Sequence, residues 1–368
     1  MPRLLIISFV EWAGAFQRPQ HLALGLARRG WQVGYVSPGY LHRTRNRVRS
    51  GLAFPPNLTV LQPPALPGAR GLMFIQKLNV AFMWRALRRL APTQPWDVVI
   101  FNAPHWAELA QRLRARLRIF DCMDDLSLGA PNPHWMERAE ARALEVADHV
   151  WTGTCSLAER LENRHPSVRF IPCGVDAEHF ARPDWKLVER LKVLQPLGEG
   201  PLAGYFGVLN ERFDMVRLEA LLANTDWRVM LIGPATSRAP ALPSHPRLRW
   251  IGPRPYIEMP AFLAQFDLAL IPYHTDGPHR YLYPVKALEY LAGGKPVLST
   301  PLPEIKRFLG DFTEFADTPD QWARAGRRLC EDRTEAQRRA AEGQAFVCRR
   351  GWHTMIDEME SCMRESLR

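Results

Sequence analysis

A lysine and a glutamate stand one helical turn apart in the last third of the chain. Lys286 and Glu289 lie in the stretch YLYPVKALEYLAGGKPVLST, residues 281–300, which predicts a short helix, a glycine break and a strand. Side chains at this spacing can form a solvated ion pair that stabilises a helix by only about 0.2–0.5 kcal/mol. The alternative is that they contact an anionic ligand at the helix start, where backbone N–H groups attract negative charge.

Three further loops of the second half carry residues suited to anion binding. Gly207 and Arg212 follow the strand-like run LAGYF, Gly233 follows WRVMLI, and Arg254 follows LRWI. Glycine lets a backbone approach a ligand closely, and arginine forms strong charge-assisted hydrogen bonds with phosphate. Basic residues at successive strand ends therefore indicate, together with Lys286, an anion-binding site.

The turn after the first strand-like run argues against one class of enzyme. Gly14 is the only glycine in VEWAGAFQRPQ, so the G-x-G-x-x-G fingerprint of dinucleotide binding is absent. A dehydrogenase that uses NAD loses its main support. Gln17 and Arg18 stand at the predicted helix start, where they either begin an ordinary helix or face a ligand.

Two more strand ends of the first half carry polar side chains. His105 follows DVVIFN, and the cluster of Asp121, Asp124 and Asp125 follows LRIF. A histidine in such a loop contacts either the protein interior or a substrate. The carboxylates could serve as a base, a helix cap or metal ligands, but the sequence shows no convincing set of further ligands and predicts no metal.

These residues are placed by alternating apolar strands and amphipathic helices, a pattern that predicts parallel sheets covered by helices. A polar, proline-containing stretch at 176–186 divides the pattern into two α/β halves. In such sheets ligands bind beyond the carboxyl ends of the strands, so a cleft between the halves is the default site. The predicted helices span 19–29, 73–90, 106–116, 135–147, 156–163, 214–223, 258–265, 284–292, 303–308 and a closing segment over about 319–367.

Bulk composition fits a globular protein of two domains. The chain has 368 residues with 46% hydrophobic and 23% charged residues, and six cysteines without metal or disulfide spacing. It shows no apolar run of the roughly 18–20 residues that span a bilayer. The opening MPRLLIISFV has no small-residue cleavage site after it, which favours a buried strand over a signal peptide.

The positive charge is concentrated in the first hundred residues. They contain thirteen Lys/Arg and two acids, a balance of +11, whereas the whole chain is +10, so the remainder sums to −1. The stretches HRTRNRVRS (42–50) and MFIQKLNVAFMWRALRRLA (73–91) combine arginine with apolar residues. They predict either a solvated basic surface or contact with an anionic membrane.

Six segments resemble the GT-B glycosyltransferases, in the order that this family has. Three segments of this chain resemble the acceptor half of that family: QRPQHLALGLARRGWQVGYVSP, IFDCMDD and FIPCGVDAEHF. Three further segments resemble its nucleotide-sugar half: FGVLNERFD, IGPRPYIEMPAFLAQFDLALIPY and YPVKALEYLAGGKPVLSTPLPE. The resemblance is closest to bacterial family 4 retaining enzymes of the teichuronic-acid type.

The resemblance implies two Rossmann-like α/β domains facing a central cleft. It implies an acceptor-binding domain over 1–178, a nucleotide-sugar-binding domain over 179–345, and a C-terminal helix over 346–368 that packs back on the first domain. The implied reaction is retaining transfer of a sugar from a nucleoside diphosphate sugar, with UDP as first choice and GDP as second. The expected acceptor is a glycan or a lipid-linked glycan in cell-surface polysaccharide or glycolipid synthesis. The expected location is the cytoplasm, with the protein either free or peripheral at the inner membrane face, and no cofactor, required metal or nucleic acid is expected.

The resemblance also implies roles for individual residues. Glu289 corresponds to the final glutamate of an E-x7-E element and would bind the donor ribose. Arg212 and Lys286 would hold the diphosphate, and His105 and Asp121 would approach the transferred sugar, so these four are the catalytic candidates. Further donor-side residues are Gly14, Gly207, Gly233, Arg254, Tyr281, Tyr283, Pro284 and Val285, and acceptor-side residues are Gln17, Arg18 and Asp124.

The chain departs from the family pattern at two positions. Tyr281 stands where the first glutamate of E-x7-E is expected, and Val208 stands where an arginine often follows the first glycine. These departures leave the sugar and its position open. The alternatives are a nucleotide-sugar epimerase of similar fold, or a non-catalytic protein that binds a nucleotide sugar or nucleic acid.

Overall fold

Two parallel β-sheets form the framework of the chain. The computed structural model describes residues 1–12, 16–40, 55–66, 73–90, 95–126, 133–194, 199–276, 279 and 281–368. Contacts divide the chain into unit 1, which comprises Met1–Cys173 and Trp352–Arg368, and unit 2, which comprises Gly174–Gly351. The α/β architecture with parallel sheets is as predicted.

The strands of unit 1 form a seven-stranded sheet in the order β4-β2-β1-β6-β7-β8-β9, beside a small pair formed by β3 and β5. Every pairing is parallel. The strands are β1 Arg3–Ile7, β2 Gln32–Val36, β3 Gly39–Tyr40, β4 Leu58–Leu61, β5 Pro64–Ala65, β6 Trp96–Phe101, β7 Ala115–Cys122, β8 His149–Thr152 and β9 Val168–Phe170.

Unit 2 has a six-stranded parallel sheet in the order β12-β11-β10-β13-β14-β15. Its central strands are buried on both faces, which explains their nearly continuous apolar sequences. The strands are β10 Leu202–Phe206, β11 Arg228–Ile232, β12 Leu248–Trp250, β13 Leu268–Ile271, β14 Val297–Ser299 and β15 Thr313–Phe315.

Helices connect the strands. In chain order they are α1 Arg18–Arg28, α2 Met73–Leu90, α3 Ala107–Arg112, α4 Pro133–Val146, α5 Cys155–Leu161, α6 Ala177–Ala181, α7 Trp185–Leu194, α8 Met215–Asn224, α9 Met259–Ala264, α10 Lys286–Ala292, α11 Pro303–Leu309, α12 Pro319–Glu331, α13 Thr334–Val347 and α14 Trp352–Ser366. Short 3-10 helices span Pro104–Trp106, Tyr256–Glu258 and Gly310–Phe312.

The last helix of the chain belongs to unit 1. Met355, Ile356 and Met359 of α14 are buried in the same core cluster as Leu22 of α1. A side chain at Gly25 of α1 would place its Cβ 2.3 Å from Ile356 Cδ1, so the two helices pack this closely only because residue 25 is glycine. The closing helical segment predicted over 319–367 is thus three helices, of which only α14 returns to unit 1.

One predicted helix was too long, and two helices were not predicted. The helix predicted over 106–116 ends at Arg112, because β7 already begins at Ala115. The stretch 176–186, which was expected to separate the two halves and for which no helix was predicted, contains α6 and the start of α7. Asp176 Oδ1 accepts from the His179 N–H, and Asp184 Oδ1 accepts from the Lys186 N–H, so aspartate caps start both helices.

Candidate functional site

Two glycines line the carboxyl ends of the central strands of unit 2. Gly207 follows β10 with φ 140° and Gly233 follows β11 with φ 135°, both in a region that side chains rarely adopt. The Gly207 N–H donates to the Ile232 carbonyl at 2.8 Å. A Cβ on Gly233 would lie 2.1 Å from the Gly207 carbonyl oxygen. The backbones of Gly207 and Gly233 can come this close only because both residues lack a side chain. The carboxyl ends of β10 and β11 therefore present an open backbone surface.

A tyrosine fixes helix α10 beside the end of β10. Tyr290 is fully buried, and its Oη accepts a hydrogen bond of 3.0 Å from the Phe206 N–H at the end of β10. This contact sets the start of the helix beside Gly207. A Cβ on Gly207 would lie 2.2 Å from Lys286 Nζ, so the lysine reaches over the glycine. The helix begins at Lys286 rather than at Pro284, which with Val285 forms the preceding turn.

The ammonium group of Lys286 is held by two tyrosines. Lys286 Nζ donates to Tyr273 Oη at 2.7 Å and lies 3.9 Å from the centre of the Tyr205 ring. Tyr205 Oη donates in turn to the Val208 carbonyl at 2.9 Å. Within the described residues no ion pair joins Lys286 to Glu289. The simple i,i+3 ion pair considered from the sequence is therefore not formed.

The environment of Lys286 changes the acidity of its tyrosine partners. Burial alone would raise the pKa of Tyr273, but the Lys286 charge and hydrogen bond outweigh it, and the pKa of Tyr273 is lowered. The pKa of Tyr205 is raised well above its usual value by burial and by Tyr273. A negative charge on Tyr273 Oη is thus stabilised by the ammonium group of Lys286.

Arg212 supplies a second cation near this cluster. Its backbone is fixed by two hydrogen bonds, from its N–H to Asn210 Oδ1 at 3.1 Å and from the His274 N–H to its carbonyl at 2.9 Å. Its charge helps to lower the pKa of Tyr273. Among the described residues its guanidinium has no hydrogen-bond or ion-pair partner, so it is available for a ligand.

Two histidines after β13 were missed by the sequence reasoning. The His274 ring lies 3.2 Å from Asp214 Oδ2, and the centres of the His274 and His279 rings are 6.0 Å apart. Burial lowers the pKa of His279. The charges of Arg212 and His274 lower it further, whereas the charge of Asp276 raises it. The sequence could have indicated them, because LALIPYHTD places His274 just after the carboxyl end of a predicted strand, as for the other candidates.

Glu289 lies in the first turn of α10 with its carboxylate directed to a different neighbourhood. Burial raises its pKa to about 7, with Lys286 lowering it and Asp176 raising it. Burial, Glu289 and Asp176 also raise the pKa of Tyr256, whose ring stacks on His179 at 4.8 Å. The Glu289 carboxylate has no hydrogen-bond donor among the described residues. The Glu289 carboxylate is therefore a hydrogen-bond acceptor that no described residue satisfies.

The remaining donor-side candidates lie further from the lysine cluster. Arg254 is exposed in the loop after β12, which is the edge strand two positions from β10. Tyr283 packs edge-on against Phe308 at 6.0 Å, as part of the margin of the core. Tyr281 is partly buried just before α10. Gly14 lies outside the described residues, as does the basic stretch 42–50.

In unit 1, two predicted site residues bind each other. Arg18 donates to both carboxylate oxygens of Asp121, at 2.8 and 3.1 Å, and their exposed fractions are 2% and 0%. Arg18 also donates to the Ile171 carbonyl. An acceptor contact for Arg18 and a reactive role for Asp121 do not fit this burial, because each charge is already matched by the other. The geometry assigns them to holding α1 against the ends of β7 and β9.

The other acceptor-side candidates are more accessible. Gln17 is exposed at the start of α1, where its N–H donates to Gln20 Oε1 at 3.1 Å. Asp124 is partly buried after β7. His105 is partly buried in the short helix after β6, with its ring 4.5 Å from that of Trp106 and 6.2 Å from that of Trp135. Over the described ranges, no group of three or more His, Cys, Asp or Glu side chains is placed to hold a metal ion.

Comparison with known proteins agrees with the two-unit architecture. A family model described as Glycosyltransferase Family 4 matches residues 12–179, and one described as Glycosyl transferases group 1 matches residues 204–332. A Bacillus subtilis (strain 168) protein named as a teichuronic acid biosynthesis glycosyltransferase is 28% identical over 184 residues, 47% of this chain and 45% of that protein. The chain thus matches less than half of that relative.

Solved structures share the fold along the whole chain. A sucrose-phosphate synthase from Thermosynechococcus elongatus has a TM-score of 0.78 at 15% identity, with 99% of both chains covered. Anabaena HepE in complex with UDP has a TM-score of 0.74 at 15% identity, with 99% of this chain and 100% of that chain covered. With both sheets, the open strand ends of unit 2 and the two family models in agreement, the chain belongs to the GT-B glycosyltransferases.

Proposed function

We propose that this protein transfers a sugar from a nucleoside diphosphate sugar, with UDP as first choice and GDP as second, to a glycan or lipid-linked acceptor. The transfer retains the anomeric configuration and serves cell-surface polysaccharide or glycolipid synthesis. The observation that carries the proposal is the pair of cations, Lys286 and Arg212, beside glycine-lined strand ends. The structurally similar HepE was solved in complex with UDP, which supports the choice of base.

The diphosphate is the group that these cations suit best. When the sugar leaves, negative charge builds on the outer phosphate, and preorganised cations stabilise that charge in the transition state. Lys286 is already oriented by Tyr273 and Tyr205, so little side-chain freedom is lost when it binds phosphate. Arg212 adds a fork of N–H donors that fits phosphate oxygens. No step of this proposal requires a metal ion.

The ribose suits the carboxylate of Glu289. An ionised carboxylate accepts hydrogen bonds from two hydroxyl groups at once, and this one lacks a donor within the described protein. Because Glu289 and Lys286 share α10, one helix would contact both the ribose and the diphosphate. Arg254 and its loop would contact the base.

Retention follows from the side on which the acceptor attacks. In our proposal the acceptor hydroxyl enters on the face from which the diphosphate leaves, and the departing phosphate oxygen takes its proton. Unit 2 therefore needs to hold the phosphate but need not supply a nucleophile. The burial of Asp121 against Arg18 agrees with a route that does not use that carboxylate.

Nucleotide binding tests the proposal directly. Thermal unfolding is followed with UDP, GDP and ADP, and transfer is measured with a panel of UDP and GDP sugars. We expect stabilisation by UDP, loss of stabilisation in Lys286→Ala and Arg212→Ala, and no loss in Lys306→Ala and Arg190→Ala. The control residues are exposed, belong to the same unit and have no partner among the described side chains. Turnover near the wild-type level in both site variants would contradict the proposal.

A membrane surface is part of the proposal through α2. Phe74 and Phe82 are 71% and 37% exposed, and Lys77, Arg85 and Arg88 of the same helix are also exposed. Exposed apolar and basic residues on one helix suit an anionic membrane. The described part of the chain contains no helix long and apolar enough to cross a bilayer. Flotation with anionic liposomes should show binding that salt weakens, and absence of binding at low salt would contradict this part of the proposal.

A further inference from the structure

A cavity of about 610 Å³ lies in unit 1 between α2, α3, α4 and the short helix that carries His105. Its volume is within the range of roughly 300–1,000 Å³ that small-molecule sites occupy. The described residues that line it all belong to unit 1, whereas the proposed nucleotide site is built from residues of unit 2. It is therefore a separate candidate site.

The wall of the cavity carries an excess of positive charge. Lys77, Arg112 and Arg138 line it, are exposed, and have no ion-pair or hydrogen-bond partner within the described ranges. A fourth cation, Arg142, is engaged by Glu145 Oε2 at 2.6 Å and by Gln111 Oε1 at 2.5 Å. Glu108 is the one acidic residue of the lining in the part of the chain that the structure describes. Three unmatched cations around one cavity repel one another, and an anion between them would remove that repulsion.

A buried amide of α2 also lacks a partner at this cavity. Gln76 lines the cavity and is 7% exposed, and its Nε2 has no hydrogen-bond acceptor among the described atoms. Asn79, one turn further along the helix, is 2% exposed and bonds the Leu66 N–H and carbonyl at 2.8 and 3.0 Å. Buried amides are normally paired in this way. The Gln76 Nε2 is covered by protein as it stands, and a rotation of the side chain toward the cavity would let a ligand oxygen accept from this unpaired donor.

An aromatic surface completes the cavity. The rings of Trp135 and His105 are nearly parallel, with an angle of 27° and 6.2 Å between their centres. An indole presents a broad apolar face beside a polar edge, which suits the C–H face of a sugar ring. Cations, an amide donor and aromatic rings in one cavity match a ligand with acidic, hydroxyl and apolar parts.

We propose that this cavity binds a saccharide that carries a carboxylate or phosphate group. Lys77, Arg112 and Arg138 bind the acidic group, Gln76 donates to a hydroxyl or acid oxygen, and Trp135 packs on the sugar ring. That this saccharide is the acceptor rests on the proposed function. The cavity would then make the enzyme selective for acidic over neutral acceptors.

Calorimetric titration of the full-length protein tests the site with four probes: glucuronate, glucose 6-phosphate, inorganic phosphate and neutral glucose. Binding is compared between wild type, the double variant Arg112→Ala/Arg138→Ala, and Gln76→Leu. The matched control is Arg85→Ala/Arg88→Ala, which removes two exposed arginines of α2 that do not line the cavity. Thermal unfolding separates loss of binding from loss of fold, because leucine at position 76 removes an unpaired buried amide and should not lower Tm.

We expect at least one acidic sugar to bind at low salt more tightly than both inorganic phosphate and glucose. The arginine double variant should weaken that binding by about tenfold or more, Gln76→Leu should weaken it by several-fold, and the control variant should leave it within about twofold. Tighter binding of glucuronate than of glucose 6-phosphate, or the reverse, identifies the acidic group.

Three results would overturn the proposal: no binding of either acidic sugar to the wild type, equal binding of neutral glucose, or equal losses in the cavity and control variants. UDP titration of the same proteins keeps this inference separate from the proposed function. Binding of UDP without acidic sugars would refute the cavity assignment alone. Binding of acidic sugars without UDP would leave the cavity assignment intact and refute the proposed function.

Discussion

Replacing Glu289 by glutamine should stabilise the unliganded protein at neutral and alkaline pH while weakening its binding of UDP. The folded state raises the pKa of this carboxyl group from 4.5 to about 7, chiefly by burial. The folded protein therefore holds the proton more tightly than the unfolded chain. Stability that depends on this proton is present below about pH 4.5 and is lost as the pH rises through 7.

The size of the effect follows from the shift of the pKa. A change of about 2.5 units at about 1.36 kcal/mol each gives roughly 3 kcal/mol at pH 8 as an upper value. At pH 5 the same calculation leaves less than about 1 kcal/mol. Glu289 keeps some contact with solvent, which reduces the figure. For a unit of this size we expect Glu289→Gln to raise Tm by about 3–8 °C at pH 8.

Scanning calorimetry at several pH values, with and without UDP, measures both parts of this prediction. Glutamine replaces one acceptor oxygen by an NH₂ donor and removes the negative charge, so UDP affinity should fall by about tenfold. Wild-type affinity for UDP should also decrease below pH 7, as Glu289 becomes protonated. Glu219→Gln, at an exposed position of α8, is the matched control. If Glu289→Gln is no more stable than wild type at pH 8, or binds UDP equally well, the reasoning about Glu289 is refuted.

Three other substitutions test the framework, each by thermal unfolding. Asp121→Asn should lower the free energy of unfolding by about 3–5 kcal/mol, because it leaves Arg18 charged and buried, and a change under about 1 kcal/mol would contradict the buried pair. Gly233→Ala should cost at least about 2 kcal/mol from its backbone angle and the nearby carbonyl, whereas Gly310→Ala meets no atom within 4 Å and should be nearly neutral. Tyr290→Phe should cost about 1–3 kcal/mol by leaving a buried N–H at the end of β10 unpaired, and unchanged stability would mean that this bond does not fix α10.

The sequence was sufficient to predict the fold class and the elements that carry the proposed nucleotide site. Apolar runs such as those of β10 and β13 alternate with amphipathic helices, a pattern that only a layered α/β arrangement satisfies. Lys286, Glu289 and Gly207 could be selected because ligands gather at the carboxyl ends of parallel strands. The local pattern thus predicts which loops matter.

Partners that are distant in sequence could not be predicted in the same way. Asp121 and Arg18 are 103 positions apart, and nothing in either local pattern shows that each matches the other's charge. Likewise, Lys286 shares a helix face with Glu289, but its hydrogen-bond partner is Tyr273 from another loop. Gln76 falls on the buried face of an amphipathic helix, and only the packing of α2 with α3, α4 and the short helix of His105 shows that this residue lines a cavity and that its Nε2 is unpaired.

The central claim is that Lys286 binds the diphosphate of a nucleotide donor, and one pair of titrations tests it most directly. UDP and uridine are titrated into wild type, Lys286→Ala and the control Lys306→Ala. We predict that Lys286→Ala loses about tenfold or more in UDP affinity and leaves uridine affinity unchanged, while Lys306→Ala binds both as wild type does. Equal UDP affinity in Lys286→Ala and wild type, or an equal loss for uridine, would contradict the claim.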